Sequence, residues 1–126
     1  MKIVTLIARI LLGLAFLVFG LNGFLDFIPH GPMPAGTAGQ FAGALAATHY
    51  MHRVSGLEVI AAVLLLVNRY VPLGLVLLGP IIVNILFFHI FMAPSTIGPG
   101  LLVTLLWFVV FASVRHAFSG IFQARA

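Results

Sequence analysis

The amino-acid sequence predicts an all-α membrane protein, a bundle of four transmembrane helices that run up, down, up and down with both termini inside. The first observation behind this prediction is composition, because 63% of the 126 residues are hydrophobic and only 6% are charged. Soluble domains carry about 25% charged residues, so the charge here is too small to cover a soluble surface. The second observation is four apolar stretches of roughly the 20 residues that a membrane span needs. We therefore predict one integral membrane domain over residues 1–126.

The predicted spans are separated by segments rich in turn-forming residues. "PHGPMPAG" follows the first span, "NRYVP" the second and "APSTIGPG" the third, and Pro and Gly of this kind interrupt helices. No small-residue cleavage site follows the first span, so we expect a retained helix rather than a signal peptide. The four predicted spans cover residues 3–28, 52–71, 73–92 and 99–118.

The connections between the spans set expectations for the packing. The outer loop 29–51 is the only long connection, and its Ala-rich part "TAGQFAGALAATHY" predicts a short helix at the membrane interface. The other two connections are short, which makes the helices that they join antiparallel neighbours. Pro80 lies inside the third span and lacks an N–H, so we expect a kink there, with a neighbouring helix covering the freed carbonyl.

Basic residues predict the direction of the spans. Of the six Lys and Arg residues, only Arg53 falls on the outer side if both termini share the inner one. Because cytoplasmic loops are enriched in Lys and Arg, both termini are expected inside and the loops 29–51 and 93–98 outside. The residues expected on the inner side are Lys2, Arg9, Arg69, Arg115 and Arg125.

Charge and cysteine content exclude several classes of function. The net charge of +4 comes from single, scattered basic residues, without the basic stripe that would follow a phosphate backbone. We therefore expect no nucleic-acid partner. The chain contains no cysteine, which excludes disulfide exchange, thiolate metal sites and iron–sulfur clusters.

Polar residues inside the spans are predicted to meet in one layer, because such residues are costly in lipid and usually face the interior of a bundle. With a helical rise of about 1.5 Å per residue, Asn22 and Glu58 lie about 9 Å below the outer ends of their spans, and Asn84 about 12 Å. Three helices are thus expected to contribute to this layer. Asp26 and His89 are expected above it, about 3–5 Å below the same ends.

Depth also selects among ion pairs. Arg9 lies about 28 Å from the outer end of its span, which argues against a pair with Glu58. We expect Arg9 to reach the lipid headgroups or to cap the inner end of the bundle. Arg53 and Asp26 match in depth, and a pair between them would close the outer mouth.

Two interpretations of Glu58 remain open. A protonated Glu58 can hold helices together through hydrogen bonds to Asn22 or Asn84. Alternatively, Glu58 belongs to a functional site for protons or a polar head group, the more frequent role of acids inside membranes. The surrounding phenylalanines either pack against helices and lipid or form an apolar slot that suits a quinone or another lipophilic ligand.

The histidines do not predict a bound cofactor. A haem would need two facing histidines at equal depth, and a metal site would need three or four close ligands. His49 and His52 supply only two, so we expect neither haem nor metal. The histidines predicted near the outer side are His30, His49, His52 and His89, while His116 lies near the inner end.

Three segments carry a resemblance to a known family. They are "ARILLGLAFLVFGLNGF" at 8–24, "GLEVIAAVLLL" at 56–66 and "GPIIVNILFFHIFMAPS" at 79–95. The chain resembles, over nearly its whole length, the DoxX family of small four-helix membrane proteins. That family is named after a subunit associated with a thiosulfate:quinone oxidoreductase, which implies a multi-pass protein of a bacterial-type inner (plasma) membrane. The positions that match the polar pattern of the family are Arg9, Asn22, Glu58, Asn84 and His89.

The resemblance and the polar layer together lead to an expected function. The chain would bind a quinone or a similar small lipophilic molecule as a membrane subunit or anchor of an oxidoreductase system. Glu58 is the expected catalytic residue, which exchanges a proton or hydrogen bond while Asn22 and Asn84 orient it. Expected partners are the lipid bilayer, oxidoreductase subunits and further copies of the chain. The residues expected to form a polar entrance from the outer side are Asp26, Arg53 and His89.

Two other functions stay open at this point. A small transporter or permeability factor could use a polar cavity in the outer half as its substrate site. A structural or scaffold protein would need Glu58 only to hold the helices together.

Overall fold

Helices form every regular element in the part of the chain that the structure describes. The structure is a computed structural model that describes residues 2–27 and 34–125. Over these ranges the all-α prediction is confirmed. The predicted end of the first span at residue 28 and the start of the outer loop, including His30, lie outside the described residues. The α-helices are α1 (Lys2–Leu25), α2 (Gly36–Ala47), α3 (Tyr50–Leu66), α4 (Val71–Met92) and α5 (Gly98–Val114), and 3-10 turns cover Pro94–Thr96 and Arg115–Phe118.

Among the residues that the structure describes, three helical segments are long and apolar enough to cross a membrane. They are Lys2–Leu25, Val71–Met92 and Gly98–Phe118, the last of which includes the 3-10 turn after α5. Large apolar side chains such as Phe19, Phe91 and Leu105 cover the outside of these segments. An extended apolar exterior marks a surface that contacts a membrane or a partner. Together with the helix lengths, it indicates a membrane protein.

The second predicted span is shorter in the structure than in the prediction. α3 has 17 residues and ends at Leu66 rather than at residue 71. Asn68 and Tyr70 each adopt a left-handed backbone with φ of 56°, which cannot continue a right-handed helix. Pro72 then lies in the first turn of α4, where its missing N–H costs no hydrogen bond. α3 is therefore the one predicted span whose length falls below the roughly 20 residues of a straight crossing.

α2 confirms the short helix predicted in the Ala-rich part of the outer loop. It packs against α3 and α4, with Ala38 buried. The rings of Phe41 and Phe88 lie 5.6 Å apart between their centroids, which ties α2 to the second half of α4. Its position at a membrane interface stays a prediction.

The four longer helices are α1, α3, α4 and α5. Among them, α1 and α4 each pack against both α3 and α5. Close contacts give their directions. Gly13 of α1 faces Leu66 at the end of α3, whereas Gly20 faces Ser55 near its start. Rising residue numbers on α1 thus meet falling numbers on α3, and the two helices run antiparallel.

Close contacts also give the relative direction of α4 and α5. Gly100 at the start of α5 faces Ile85, whereas Trp107 reaches Leu75 near the start of α4, so this pair is also antiparallel. The helix directions define two ends of the bundle, one at the start of α1 and one at its end, which are called here the basic end and the loop end. The basic end holds Lys2, Arg9 and Arg115, and the loop end holds Asp26, Arg53 and His89.

Small residues allow α1 and α3 to pack closely. A Cβ atom at Gly20 would lie 2.8 Å from the side chain of Val59 and 3.0 Å from the carbonyl oxygen of Ser55. A Cβ atom at Gly23 would collide with the hydroxyl of Ser55. Close backbone approach across small residues is a main source of helix association in membranes. The fully buried core beside this seam comprises Leu12, Ala61, Ala62, Leu65, Leu75, Leu78 and Val110.

α4 continues through Pro80, and two side chains supply hydrogen bonds near it. Pro80 cannot donate to the carbonyl of Val76, four residues earlier. The indole Nε1 of Trp107 donates to the neighbouring carbonyl of Leu75 over 3.0 Å, and the amide of Asn84 donates to the carbonyl of Pro80 over 2.9 Å. Trp107 thus bonds one residue before the freed carbonyl of Val76, and both the covering of that carbonyl and the kink at Pro80 stay predictions.

Candidate functional site

Buried polar side chains cluster where α1 meets α3. Within residues 2–27 and 34–125, the buried polar side chains are Asn22, Ser55 and Glu58, which are 6%, 1% and 7% exposed. Because Gly20 and Gly23 face the stretch from Ser55 to Val59, Asn22 and Glu58 lie within about one helical turn of each other along the axis. The structure therefore brings these two predicted site residues to a similar level.

Glu58 points into the interior of the molecule. The other buried residues of α3 flank it on the helical wheel, and its Cβ lies 3.2 Å from where a Cβ would be at Gly20. The carboxyl group makes no hydrogen bond with any residue in the described ranges. No fully buried side-chain nitrogen or oxygen of the described residues lacks a hydrogen-bond partner, so the carboxyl oxygens of Glu58 keep some accessible surface, as unpaired polar groups usually do.

Asn22 occupies a different side of α1 from the glycines that face Glu58. At 100° per residue, about 160° separates Asn22 from Gly20. Asn22 instead continues a stripe formed by Leu11, Ala15 and Val18, at helical spacings of four, three and four residues. Asn22 and Glu58 therefore lie at a similar height along the bundle axis but face different surroundings.

An apolar groove runs along this stripe, between α1 and α5. Its volume is about 410 Å³, which lies within the range of about 300–1,000 Å³ typical of small-molecule sites. Asn22 lies one helical turn beyond Val18, at the loop end of the stripe. The residues that line the groove are Leu11, Leu14, Ala15, Val18, Phe19, Leu102, Val103 and Leu106.

Asn84 does not join Glu58. Its side chain is exposed, and its amide nitrogen bonds to the carbonyl of Pro80 in the same helix. Gly74 faces the stretch from Ala61 to Leu65, so counting along the antiparallel helices places Asn84 about 7 Å nearer the loop end than Glu58. The expectation that Asn84 orients Glu58 therefore does not agree with its position.

The three residues of the predicted entrance lie at the loop end. Asp26 follows α1 in a left-handed conformation with φ of 50°, and its N–H donates to the carbonyl of Asn22 over 3.0 Å. Arg53 is exposed in the first turn of α3. His89 is half-buried, with Nδ1 2.8 Å from the carbonyl oxygen of Ile85 in its own helix. The ion pair between Asp26 and Arg53 stays a prediction.

Aromatic contacts join α1 to the start of α3 at this end. The ring of His52 lies 5.6 Å from Phe24 and 5.4 Å from His49 between centroids. In the described part of the chain, no three side chains of His, Asp or Glu lie together as metal ligands would.

Arg9 lies far from Glu58, as its depth predicted. Its guanidinium donates hydrogen bonds to the carbonyl oxygens of Leu65 and Leu66, the last two residues of α3. Leu65 is seven residues beyond Glu58, or about 10 Å along the helix. Arg9 therefore adds a donor at the C-terminal end of α3, where helix carbonyls lack intrahelical partners and Leu65 also accepts from the N–H of Asn68. This agrees with the expected cap on this end of the bundle.

No protein-family model, no curated protein and no solved structure matches this chain.

Sequence reasoning missed two features of possible functional value. The apolar groove depends on how α1 and α5 sit together, and no residue pattern marks it. A second cavity at the basic end collects cationic side chains from both ends of the chain. Its only signal in the sequence was the assignment of Lys2, Arg9 and Arg115 to one side of the membrane.

Proposed function

We propose that the chain is a DoxX-like protein of a bacterial-type inner membrane, in which α1, α3, α4 and α5 cross up, down, up and down. The antiparallel contacts of α1 with α3 and of α4 with α5 support this order. The gathering of Lys2, Arg9 and Arg115 at one end supports a direction with both termini inside. In this arrangement the short α3 crosses the bilayer with the help of its longer neighbours.

The proposed function is to bind a quinone or a similar small lipophilic molecule as a membrane subunit of an oxidoreductase system. The observation that carries this proposal is the apolar groove between α1 and α5, whose stripe on α1 leads to the buried Asn22. A lipophilic ligand with a polar head would lay its apolar part along Leu11, Ala15 and Val18. The amide of Asn22 is a suitable donor to a carbonyl oxygen of the head group.

Glu58 would serve as the proton-exchanging residue of this protein. Its support is the buried carboxyl group that forms no hydrogen bond with the described residues. Because Glu58 lies on the opposite side of α1 from the groove, it would not hold the head group itself. This separates its role from that of Asn22.

A scaffold function is the second candidate, and the tight seam beside Gly20 favours it. In that case Glu58 and its neighbours only set the distance between α1 and α3. Substituting Glu58 would then change stability without changing what the protein binds.

Ligand retention tests the proposed function. Full-length protein purified in mild detergent would be extracted with organic solvent, and quinones and other lipophiles would be identified by mass spectrometry. We expect the parent protein to retain one such molecule and Ala15→Phe, which fills the groove, to lose it. Asn22→Leu should weaken retention about five- to tenfold, the effect of one hydrogen bond.

Val76→Phe is the matched control, since Val76 is exposed on α4 and away from the groove. It should retain the ligand at the parent level. Absence of any lipophile from the parent protein, or full retention by Ala15→Phe, would contradict the proposal.

A further inference from the structure

A second cavity lies at the basic end, between the start of α1 and the end of α5. Its volume is about 660 Å³, much larger than a single ion needs. Residues at the start of α1, in the turn between α3 and α4, and at and just after the end of α5 contribute to it. The polar residues that line it are Lys2, Thr5, Arg9, Asn68, Ser113, Arg115 and His116.

The charge of this cavity is strongly positive. Lys2, Arg9 and Arg115 are three of the six basic residues of the chain. No Asp or Glu of the described residues lines the cavity, and both acids of the chain, Asp26 and Glu58, belong elsewhere. Like charges gathered in one place repel one another, so an anion bound among them would be favoured.

Arg9 is held in position for such an anion. One terminal nitrogen of its guanidinium bonds to the carbonyl oxygens of Leu65 and Leu66. The guanidinium has five N–H donors in a planar fork, so its Nε and other terminal nitrogen remain able to bond. This fork matches the oxygens of a phosphate group, and fixing it in advance reduces the entropy lost on binding.

Apolar side chains form the rest of the wall. Leu6, Val109 and Val114 line the cavity beside the basic residues and retain accessible surface. A soluble phosphate compound would leave these side chains without an apolar partner, whereas a phospholipid would place its phosphate among the cations and its acyl chains along them. Basic pockets between transmembrane helices on the cytoplasmic side bind anionic headgroups in this way.

We propose that the cavity at the basic end is a binding site for the phosphate headgroup of an anionic phospholipid. On the proposed topology this is a lipid of the inner leaflet, and the site does not depend on what the groove between α1 and α5 binds. Lys2 and Arg115 attract the headgroup, while Arg9 orients its phosphate.

Native mass spectrometry of the full-length protein in neutral detergent tests this site. Dissociation constants would be measured by titration with phosphatidylglycerol, with phosphatidylcholine of the same acyl chains, and with inorganic phosphate. Variants Lys2→Gln and Arg115→Gln and their combination avoid Arg9, whose loss would also uncap α3. Arg69→Gln is the matched control, because Arg69 is exposed in the turn after α3 and does not line the cavity.

We expect phosphatidylglycerol to bind more tightly than phosphatidylcholine, and each substitution to weaken it about fivefold, the usual effect of one basic residue near a membrane surface. Arg69→Gln should leave its affinity unchanged. Equal binding of the two lipids, or unchanged affinity in the double variant, would overturn the proposal. Inorganic phosphate that binds as tightly as phosphatidylglycerol would also overturn it, since the apolar wall would then contribute nothing.

Discussion

The indole of Trp107 and the carbonyl oxygen of Leu75 join α5 to α4 through a hydrogen bond of 3.0 Å. The bond lies in the turn of α4 that precedes Pro80, where the helix lacks one donor. The same indole stacks on Phe111, with 5.3 Å between ring centroids and planes 8° apart. Trp107 therefore fastens two helices whose other contacts are almost entirely apolar.

Trp107→Phe removes this hydrogen bond while keeping an aromatic ring. We expect the free energy of unfolding to fall by about 0.5–1.5 kcal/mol, the range found for hydrogen bonds between helices. Thermal unfolding in detergent would measure the change, with Leu105→Met at an exposed position of α5 as the control. An unchanged midpoint for Trp107→Phe would show that the bond contributes nothing.

Gly20→Ala tests the close seam between α1 and α3. The new Cβ would lie 3.0 Å from the backbone oxygen of Ser55, which cannot move without shifting α3. Overpacking of this kind costs about 1–3 kcal/mol, so a clear drop in thermal stability is expected. Gly43→Ala has open space around its Cβ and should be neutral or slightly stabilising because Ala favours helix. Equal effects of the two substitutions would contradict the packing described for Gly20.

Arg9→Met tests the cap on α3. The carbonyl oxygen of Leu66 loses its side-chain donor, while that of Leu65 keeps the N–H of Asn68, and we expect a loss of about 0.5–1.5 kcal/mol in stability. Arg9→Lys keeps the charge but not the planar fork, and should recover only part of this loss. Hydrogen exchange of the amides near Leu66, measured by mass spectrometry, should accelerate in Arg9→Met. If hydrogen exchange accelerates only in segments other than the end of α3, the result would argue against the cap.

Glu58→Gln separates function from packing. The carboxyl group forms no hydrogen bond with the described residues, so replacing it with an amide of the same shape removes no bond and should not lower the free energy of unfolding. If Glu58 exchanges protons, cells that carry Glu58→Gln should lose the proton-coupled activity of the protein. Its stability and its amount in the membrane should stay the same as for the parent protein. Destabilisation by more than about 1 kcal/mol would favour the scaffold interpretation instead.

The absence of cysteine from the sequence makes the proposed topology directly testable. Ser95→Cys lies between α4 and α5, and Ser119→Cys lies after the 3-10 turn at the basic end. A membrane-impermeant maleimide added to intact cells should label Ser95→Cys at once and Ser119→Cys only after permeabilisation. The parent chain is the unlabelled control. The reverse labelling pattern would place both termini outside.

Composition and turn residues were sufficient to predict the helices. The predicted segments correspond to α1, α3, α4 and α5, and the Ala-rich stretch of the outer loop forms α2. The largest error was the end of α3, because "NRYVP" places its break at Pro72 while the chain already turns at Asn68 and Tyr70. Asn readily takes a left-handed backbone, but Tyr seldom does, so the sequence did not mark the turn at Tyr70.

The sequence by itself determined which residues are costly to bury, and it therefore identified Asn22, Glu58 and Arg9 as positions of interest. The tertiary structure alone decided what these residues face. α4 and α5 are apolar on nearly all sides, so no polar face reveals their rotation, and the exposure of Asn84 followed from packing. The packing of neighbouring helices likewise decides that Asn22 and Glu58 face different surroundings. It also decides that Lys2 and Arg115 line the same cavity. Such packing is set by volumes and contacts across helices, which hydrophobicity along one helix does not encode.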